Sequence, residues 1–275
     1  MKNIHGFATV NGRECYEISV FDHGLLYGDG VYETARIFDG HAFLLDKHLD
    51  RLFDSASGIQ LDMPYSRKDI IRPIMNTYKK SGLKDAFMRI IVTRGVGEQG
   101  LHANCHPNLI ILCNERPFKP LRKIDITISK IRRTNKSAID SKIKSLNYAN
   151  NMLASLDAKD RGFDDAILLN ENGILTEATT SNIFIVHKGK IFTPSSASGI
   201  LEGAIRNAII ENFPVIEKEL TVNDLVSAQE AFLTGTVDFI TCIKRIDNKR
   251  FKDYSYAKKI FNKLMELSKK GAKLN

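Results

Sequence analysis

Two lysines stand one residue apart, Lys142 and Lys144, at the start of KIKSLNYANNMLASLDAKD (142–160), immediately before a helical pattern. On an extended segment both side chains share one face and Ile143 takes the other. An amine facing a cavity loses hydration, its pKa falls, and it becomes able to form a Schiff base with a carbonyl. The alternative is a pair of ordinary surface charges. Glu177, in TEATTSN, interrupts a strand otherwise built of small and apolar residues. A carboxylate there either faces solvent or is paired, and a protonated heterocyclic nitrogen is a suitable partner. In SGILEGAIRNAIIEN, Gly199 and Gly203 precede a helix whose first N–H groups, at the positive end of the helix dipole, form an anion site. Ala204 and Ile205 supply those amides. Thr234, Gly235 and Thr236 in AFLTGTVDF put two hydroxyls and a flexible backbone at a strand end, where phosphate or carboxylate recognition needs them. Arg51, in HLDRL, lies one helical turn beyond His48 and can grip an anion with its planar fork. Each feature alone also fits a loop, a strand end or a solvated helix. One chain holding an amine, several phosphate donors and a glutamate suited to a pyridinium is the argument.

The elements that must position these residues follow from local patterns. FATVNGREC and ARIFDGHAFLL read as strand, turn, strand units, with Asn11-Gly12 and Asp39-Gly40 as hairpin turns. LDKHLDRLFDSASGI has Leu45, His48, Leu49, Leu52 and Phe53 at helical spacing, with Gly58 expected just past its end. A second helix, SRKDIIRPIMNTYKKSG, is opened by Ser66 and closed by Gly82, and AFMRIIVTRG returns as a strand. NLIILCN then gives way to ERPFKPLRK, where Pro117 and Pro120 disfavour both helix and ladder. The expected division is a small domain over 1–115, a connection over 116–123 and a large domain over 124–275. KIDITISKIRR alternates as a half-buried strand over 123–133, and a helix follows over about 147–161. The stretch from Asp164 to Ser195 is strand and turn, and helical patterns at 203–212 and 256–269 bracket another strand pair.

Composition excludes the special classes. With 275 residues, 43% hydrophobic and 26% charged, the chain has the make-up of a globular protein with a real core. The first fifteen residues hold no continuous apolar stretch, and no segment approaches a membrane span, so a cytoplasmic protein is expected. The four cysteines lack a CxxC pair, as reduced thiols would. His102, Cys105 and His106 hint at metal ligands, but no second cluster completes a set. The net charge of +8 raises nucleic acid as a partner, yet the basic residues are interleaved with acids and the densest runs, such as KIRR at 130–133, are short. They read as a solvated basic face.

Taken in order, DHGLLYGDGVYETAR (22–36), LLDKHLDRLFDSA (44–56), RIIVTRGVGEQGL (89–101), IKSLNYANNMLA (143–154), LTEATTSNIFIV (175–186), GILEGAIR (199–206) and FLTGT (232–236) resemble the class IV, or fold-type IV, pyridoxal-phosphate aminotransferases. That family includes branched-chain and D-amino-acid aminotransferases and 4-amino-4-deoxychorismate lyases, and the likeness covers nearly the whole chain. It implies an α+β fold with a small α+β domain and a larger β-barrel-like domain with helices. The implied cofactor is pyridoxal 5′-phosphate. Lys144 matches the Schiff-base lysine, and Lys142 has no such role. Glu177 matches the acid paired with the pyridine nitrogen; Arg51, the backbone of Ala204 and Ile205, and Thr236 match the phosphate cradle. Tyr148 resembles a tyrosine near the cofactor's phenolic oxygen, and Tyr32, Arg36 and Arg89 fall where the family lines its substrate pocket. The implied activity is transamination between an amino acid, branched-chain L or D, and 2-oxoglutarate through an internal aldimine on Lys144. A homodimer is implied too, with 95–106 as a loop lent to the neighbour, and no nucleic-acid or membrane partner.

Three departures bear on the branch. YETAR stands where branched-chain enzymes carry FEGIR, so Thr34 replaces a glycine; GTVDF replaces GTAAE; GAIR replaces GITR and removes one hydroxyl. The arginine, any residue, histidine motif of D-amino-acid aminotransferases is absent from GVGEQGLHANCH. The lyase branch shares YGDG and ET, so 4-amino-4-deoxychorismate lyase is the alternative enzyme, and a noncatalytic anion- or RNA-binding protein the alternative of another class.

Overall fold

The computed structural model describes residues 6–101 and 104–274, and the chain divides into two compact units. One holds Met1–Pro117 together with Ile143–Asn147 and Leu267–Asn275; the other holds Phe118–Lys142 and Tyr148–Glu266. Pro117, one of the prolines marking the sequence boundary, is the point of first crossing.

The first unit runs β1 (Gly6–Val10), β2 (Arg13–Glu14), α1 (His23–Leu26), β3 (Gly30–Phe38), β4 (His41–Ala42), α2 (Leu45–Gly58), α3 (Arg67–Ser81), β5 (Ala86–Gly97) and β6 (Cys105–Asn114). Its antiparallel sheet has the order Ala272–Lys273, β4, β3, β5, β6, β1, β2. The β1–β2 hairpin turns through Asn11 and Gly12 at φ 51° and 78°, the left-handed pair that matches strand twist. For α3, Ser66 and Asp69 form a reciprocal capping box and Gly82 ends the helix at φ 67°, as local sequence demands. In α2, Gly58 is the last helical residue instead of lying beyond the end. A Cβ at 58 would come 2.8 Å from Ile143 Cδ1, so glycine is needed to admit the returning segment Ile143–Asn147. Leu49, Leu52 and Ala56 of α2 and Ile70 and Ile74 of α3 pack on Val31, Ala35, Ile37, Met88 and Ile90. Each such leucine contributes about 1.5–3 kcal/mol of burial. This sheet-on-helix core fixes the face of β3 that the candidate site uses.

The second unit runs β7 (Lys123–Ile128), α4 (Ala149–Asp160), β8 (Asp165–Leu169), β9 (Leu175–Ala178), β10 (Asn182–His187), β11 (Lys190–Pro194), α5 (Ala204–Asn212), β12 (Val215–Lys218), α6 (Val222–Ser227), β13 (Glu230–Gly235), β14 (Phe239–Ile246), β15 (Lys249–Arg250) and all but the last two residues of α7 (Ser255–Ser268). Strands β10, β13, β14, β7, β8 and β9 form a closed six-strand barrel, with β14–β7 and β7–β8 parallel. The closing pair is Glu177 against Asn182. Leu175, Ile183, Leu233, Ile126 and Ile243 fill its core. The strand expected over 123–133 stops at Ile128, because Ser129 Oγ accepts the N–H of Ile131 at 2.9 Å and turns the chain.

Of the 95–106 loop, residues 102 and 103, and with them His102, lie outside the described residues. No helix among the described residues is long and apolar enough to cross a membrane.

Candidate active site

In the first unit the returning segment is held by its backbone. Lys144 N donates to Ser55 Oγ at 3.0 Å, Tyr32 N donates to Lys144 O at 3.0 Å, and Leu146 N donates to Gly30 O at 2.9 Å. Strand β3 and helix α2 therefore place Lys144 without using its side chain. The segment forms no named strand; its ladder-like contact is the bridge Val31–Ser145. Lys144 Nζ lies 3.3 Å from Tyr32 Oη and 4.4 Å from the centre of its ring, and the Arg89 guanidinium lies 4.7 Å from that ring centre. Tyr32, Thr34 and Arg36 share one face of β3, and Arg89 sits opposite Thr34 on β5. Arg36, stacked 5.4 Å over Phe38, is buried. Lys144, Tyr32 and Arg89 thus converge. Lys142 falls in the other unit, mostly exposed, with its amine 3.3 Å from Glu202.

Glu33 belongs to the opposite, core-facing row of β3, and two residues of α2 meet it. Arg51 donates through Nε at 2.5 Å and Nη2 at 3.0 Å, and His48 Nδ1 lies 2.8 Å from Oε2. Burial alone would raise the Glu33 pKa; the charges of Arg51 and His48 and their hydrogen bonds outweigh it and hold the carboxyl at about 2. Arg51, expected on a phosphate, is therefore also anchored to a buried acid. Glu33 was legible by the same signal as Glu177, a carboxylate inside an apolar strand.

In the second unit Glu177 is buried on β9. Its Oε1 accepts from Arg133 Nε at 2.9 Å, and its Oε2 accepts from Leu201 N at 3.1 Å and Asn182 Nδ2 at 3.2 Å. Arg133 comes from KIRR, which sequence alone reads as solvated; the Ser129 turn brings it inward to a side-chain exposure of 14%. Leu201 opens the turn that ends at Gly203, the N-cap of α5, where no side chain caps the helix. The amides of Ala204 and Ile205 head that helix. Thr234 pairs with Asn182 across β13 and β10, and its Oγ1, like that of Ser198, is buried without a hydrogen-bond partner among the described residues. Thr236 follows Gly235 just beyond β13, half-buried, and Tyr148, half-buried, is the N-cap of α4.

These features fit pyridoxal 5′-phosphate: an uncapped helix start and orphaned hydroxyls suit a phosphate, and a buried, oriented carboxylate suits a protonated ring nitrogen. Gly203 is tied to this fit. A Cβ there would lie 2.1 Å from Asn182 Oδ1, so Gly203→Ala is expected to cost about 1–3 kcal/mol. Thermal unfolding of the variant should show a clearly lowered midpoint, and an unchanged midpoint would refute the close approach.

The sequence profile of the family described as amino-transferase class IV matches residues 30–246. A protein of Methanocaldococcus jannaschii with the provisional name branched-chain-amino-acid aminotransferase is 41% identical over 85% of this chain and 84% of its own length. The aminodeoxychorismate lyase of Bacillus subtilis is 34% identical over 88% of this chain and 87% of its own. The crystal structure of the branched-chain aminotransferase of Thermoproteus uzoniensis with norvaline superposes with a TM-score of 0.87 at 29% identity, covering 96% of this chain and 95% of that one.

Proposed function

Because the chain belongs to the class IV aminotransferases, we propose that it moves an amino group between an amino acid and 2-oxoglutarate on pyridoxal 5′-phosphate, with Lys144 as the working amine and a branched-chain L-amino acid preferred over a D-amino acid. The observation that carries this reading is the setting of Lys144, whose backbone is fixed by β3 and α2 while its amine meets Tyr32 Oη at 3.3 Å. The branched-chain preference is supported by the relatives at 41% and 29% identity.

Pyridoxal 5′-phosphate, when bound, supplies a carbonyl to receive the amino group and a protonated ring that withdraws electrons from the substrate Cα. The chain's residues do the rest. Ala204 and Ile205 amides, the Thr236 hydroxyl and Arg51 would hold the phosphate, and Glu177 would keep the proton on the ring nitrogen. Tyr148 would donate to the phenolic oxygen. The Lys144 amine would take the proton from the substrate Cα and hold it for return, and Tyr32 Oη would orient that amine. Arg36 and Arg89 receive substrate carboxylates. A homodimer acting in the cytoplasm completes the proposal. Val20, Phe21 and Leu25, each more than half exposed, support self-association, and the free thiols suit a reducing compartment.

The test is a half-reaction screen read by the cofactor's visible absorbance, with L-leucine, D-alanine, D-glutamate, (R)-phenylethylamine and aminodeoxychorismate. L-Leucine should convert the cofactor at least about tenfold faster than D-alanine, a difference one pocket contact can supply. Equal rates, or a faster D-substrate, overturn the preference; a colourless protein overturns the enzyme. A second reading, aminodeoxychorismate lyase, is favoured by Thr34 in YETAR and by the 34% identical relative. It requires turnover of aminodeoxychorismate with no net consumption of an oxo acid.

A further inference from the structure

Asn182 has none of the roles above, yet it touches the Glu177 carboxylate, the turn at Leu201 and the glycine that opens α5. It opens β10, and its backbone pairs with Glu177 on one side, closing the barrel, and with Thr234 on the other. The side chain is 5% exposed. Its Nδ2 donates both to Glu177 Oε2 at 3.2 Å and to Leu201 O at 2.7 Å, and Leu201 N donates to the same Oε2 at 3.1 Å. Its Oδ1 lies against Gly203, so close that no Cβ fits there. One planar amide is thus wedged between the carboxylate, the turn and the glycine that caps α5.

Packing alone does not call for this residue. The next residue, Ile183, pairs with Leu233 in the apolar core of the barrel, whereas position 182 lies between Glu177 and Thr234, and its amide answers the polar groups there. An amide has fixed geometry, and both of its N–H bonds are spent on joining the acid to the turn. Without it, the tie between Glu177 and the turn that leads into α5 would rest on the single bond from Leu201 N to Oε2, and the spacing to the amides of Ala204 and Ile205 could drift. A ligand that needs both at once loses most when that spacing is loose.

We propose that Asn182 is a positioning residue that fixes the distance between the Glu177 carboxylate and the N–H groups opening α5, so that the site favours a ligand carrying both a basic ring nitrogen and a phosphate. This rests on the cofactor reading above and adds to it the residue that enforces selection for the phosphorylated cofactor. The ligand's ring alone would feel Glu177 only; the ligand with its phosphate would feel the spacing.

The experiment is equilibrium dialysis of the full-length chain, freed of cofactor, against pyridoxal 5′-phosphate and against pyridoxal. The wild-type chain should bind the phosphorylated form more tightly. In Asn182→Ala, affinity for pyridoxal 5′-phosphate should fall about tenfold while that for pyridoxal changes less than about threefold, the loss expected when one buried hydrogen-bonded clasp goes. An equal fall for both ligands, or no fall for either, overturns the proposal, since a merely structural Asn182 cannot alter the ratio. Should Asn182→Ala fail to fold, Asn182→Ser, smaller and compatible with a strand, is measured in the same way with the same two outcomes. A wild-type chain that shows no preference for the phosphorylated ligand would instead sink the cofactor reading, so the two failures are distinguishable.

Discussion

Lys144→Ala should lower turnover by at least about 10³-fold, the scale of losing a positioned general acid and base, and borohydride should no longer fix any cofactor on the chain. The fold should survive. The backbone hydrogen bonds of residue 144, to Ser55 Oγ and from Tyr32 N, are kept by alanine. The amine itself contributes its contact with Tyr32, ring centre at 4.4 Å, worth at most about 1 kcal/mol. Added methylamine should restore part of the proton transfer, because the side chain leaves a space of its own shape. Lys142→Ala is the control: its exposed pair with Glu202 contributes within the range of surface salt bridges, about 0–1 kcal/mol. A Lys144→Ala protein with near wild-type turnover, or a Lys142→Ala protein without it, would exchange or abolish the assignment.

The second large effect concerns stability. Glu33 is fully buried, and its carboxyl is held at about 2 instead of the ordinary 4.5. A folded-state value below the unfolded one means that the contribution is complete above pH 4.5 and disappears as the pH falls toward 2. Its size at neutral pH is about 3 kcal/mol, of which about 2 is gone by about pH 3. Urea unfolding followed from about pH 7 to about pH 3 should therefore show an acid limb that flattens in Glu33→Gln, which keeps the shape and removes the titration. Glu33→Ala should cost about 3–5 kcal/mol at neutral pH, since it leaves Arg51 and His48 facing a void without their acid. An acid limb of unchanged slope in Glu33→Gln would show that the buried carboxyl is not what titrates.

Much of the architecture was legible because its signals are local. A hairpin turn is written in two residues, as at Asn11-Gly12, and a helix start in four, as at Ser66 and Asp69, and both form as local chemistry requires. Where a distant segment intervenes, local patterns mislead. Gly58 looks like a stop signal, but its missing Cβ serves Ile143. KIRR looks like solvated charge, but Arg133 is turned inward onto Glu177 by Ser129.

By itself the sequence determined the membership of a family, the inventory of an amine, an acid, anion donors and pocket arginines, and which of two neighbouring lysines matches the family's own. These depend on residue types and their order, which no packing can change. Only the tertiary structure decided that Lys142 and Lys144 part company, one to Glu202 and the other to Tyr32. It alone closed the barrel on the pair Glu177 and Asn182, and gave Arg51 a buried partner in Glu33. Those pairings join residues far apart in the chain or on adjoining elements, and their energies come from burial and register, which a reading of neighbours along the sequence does not contain.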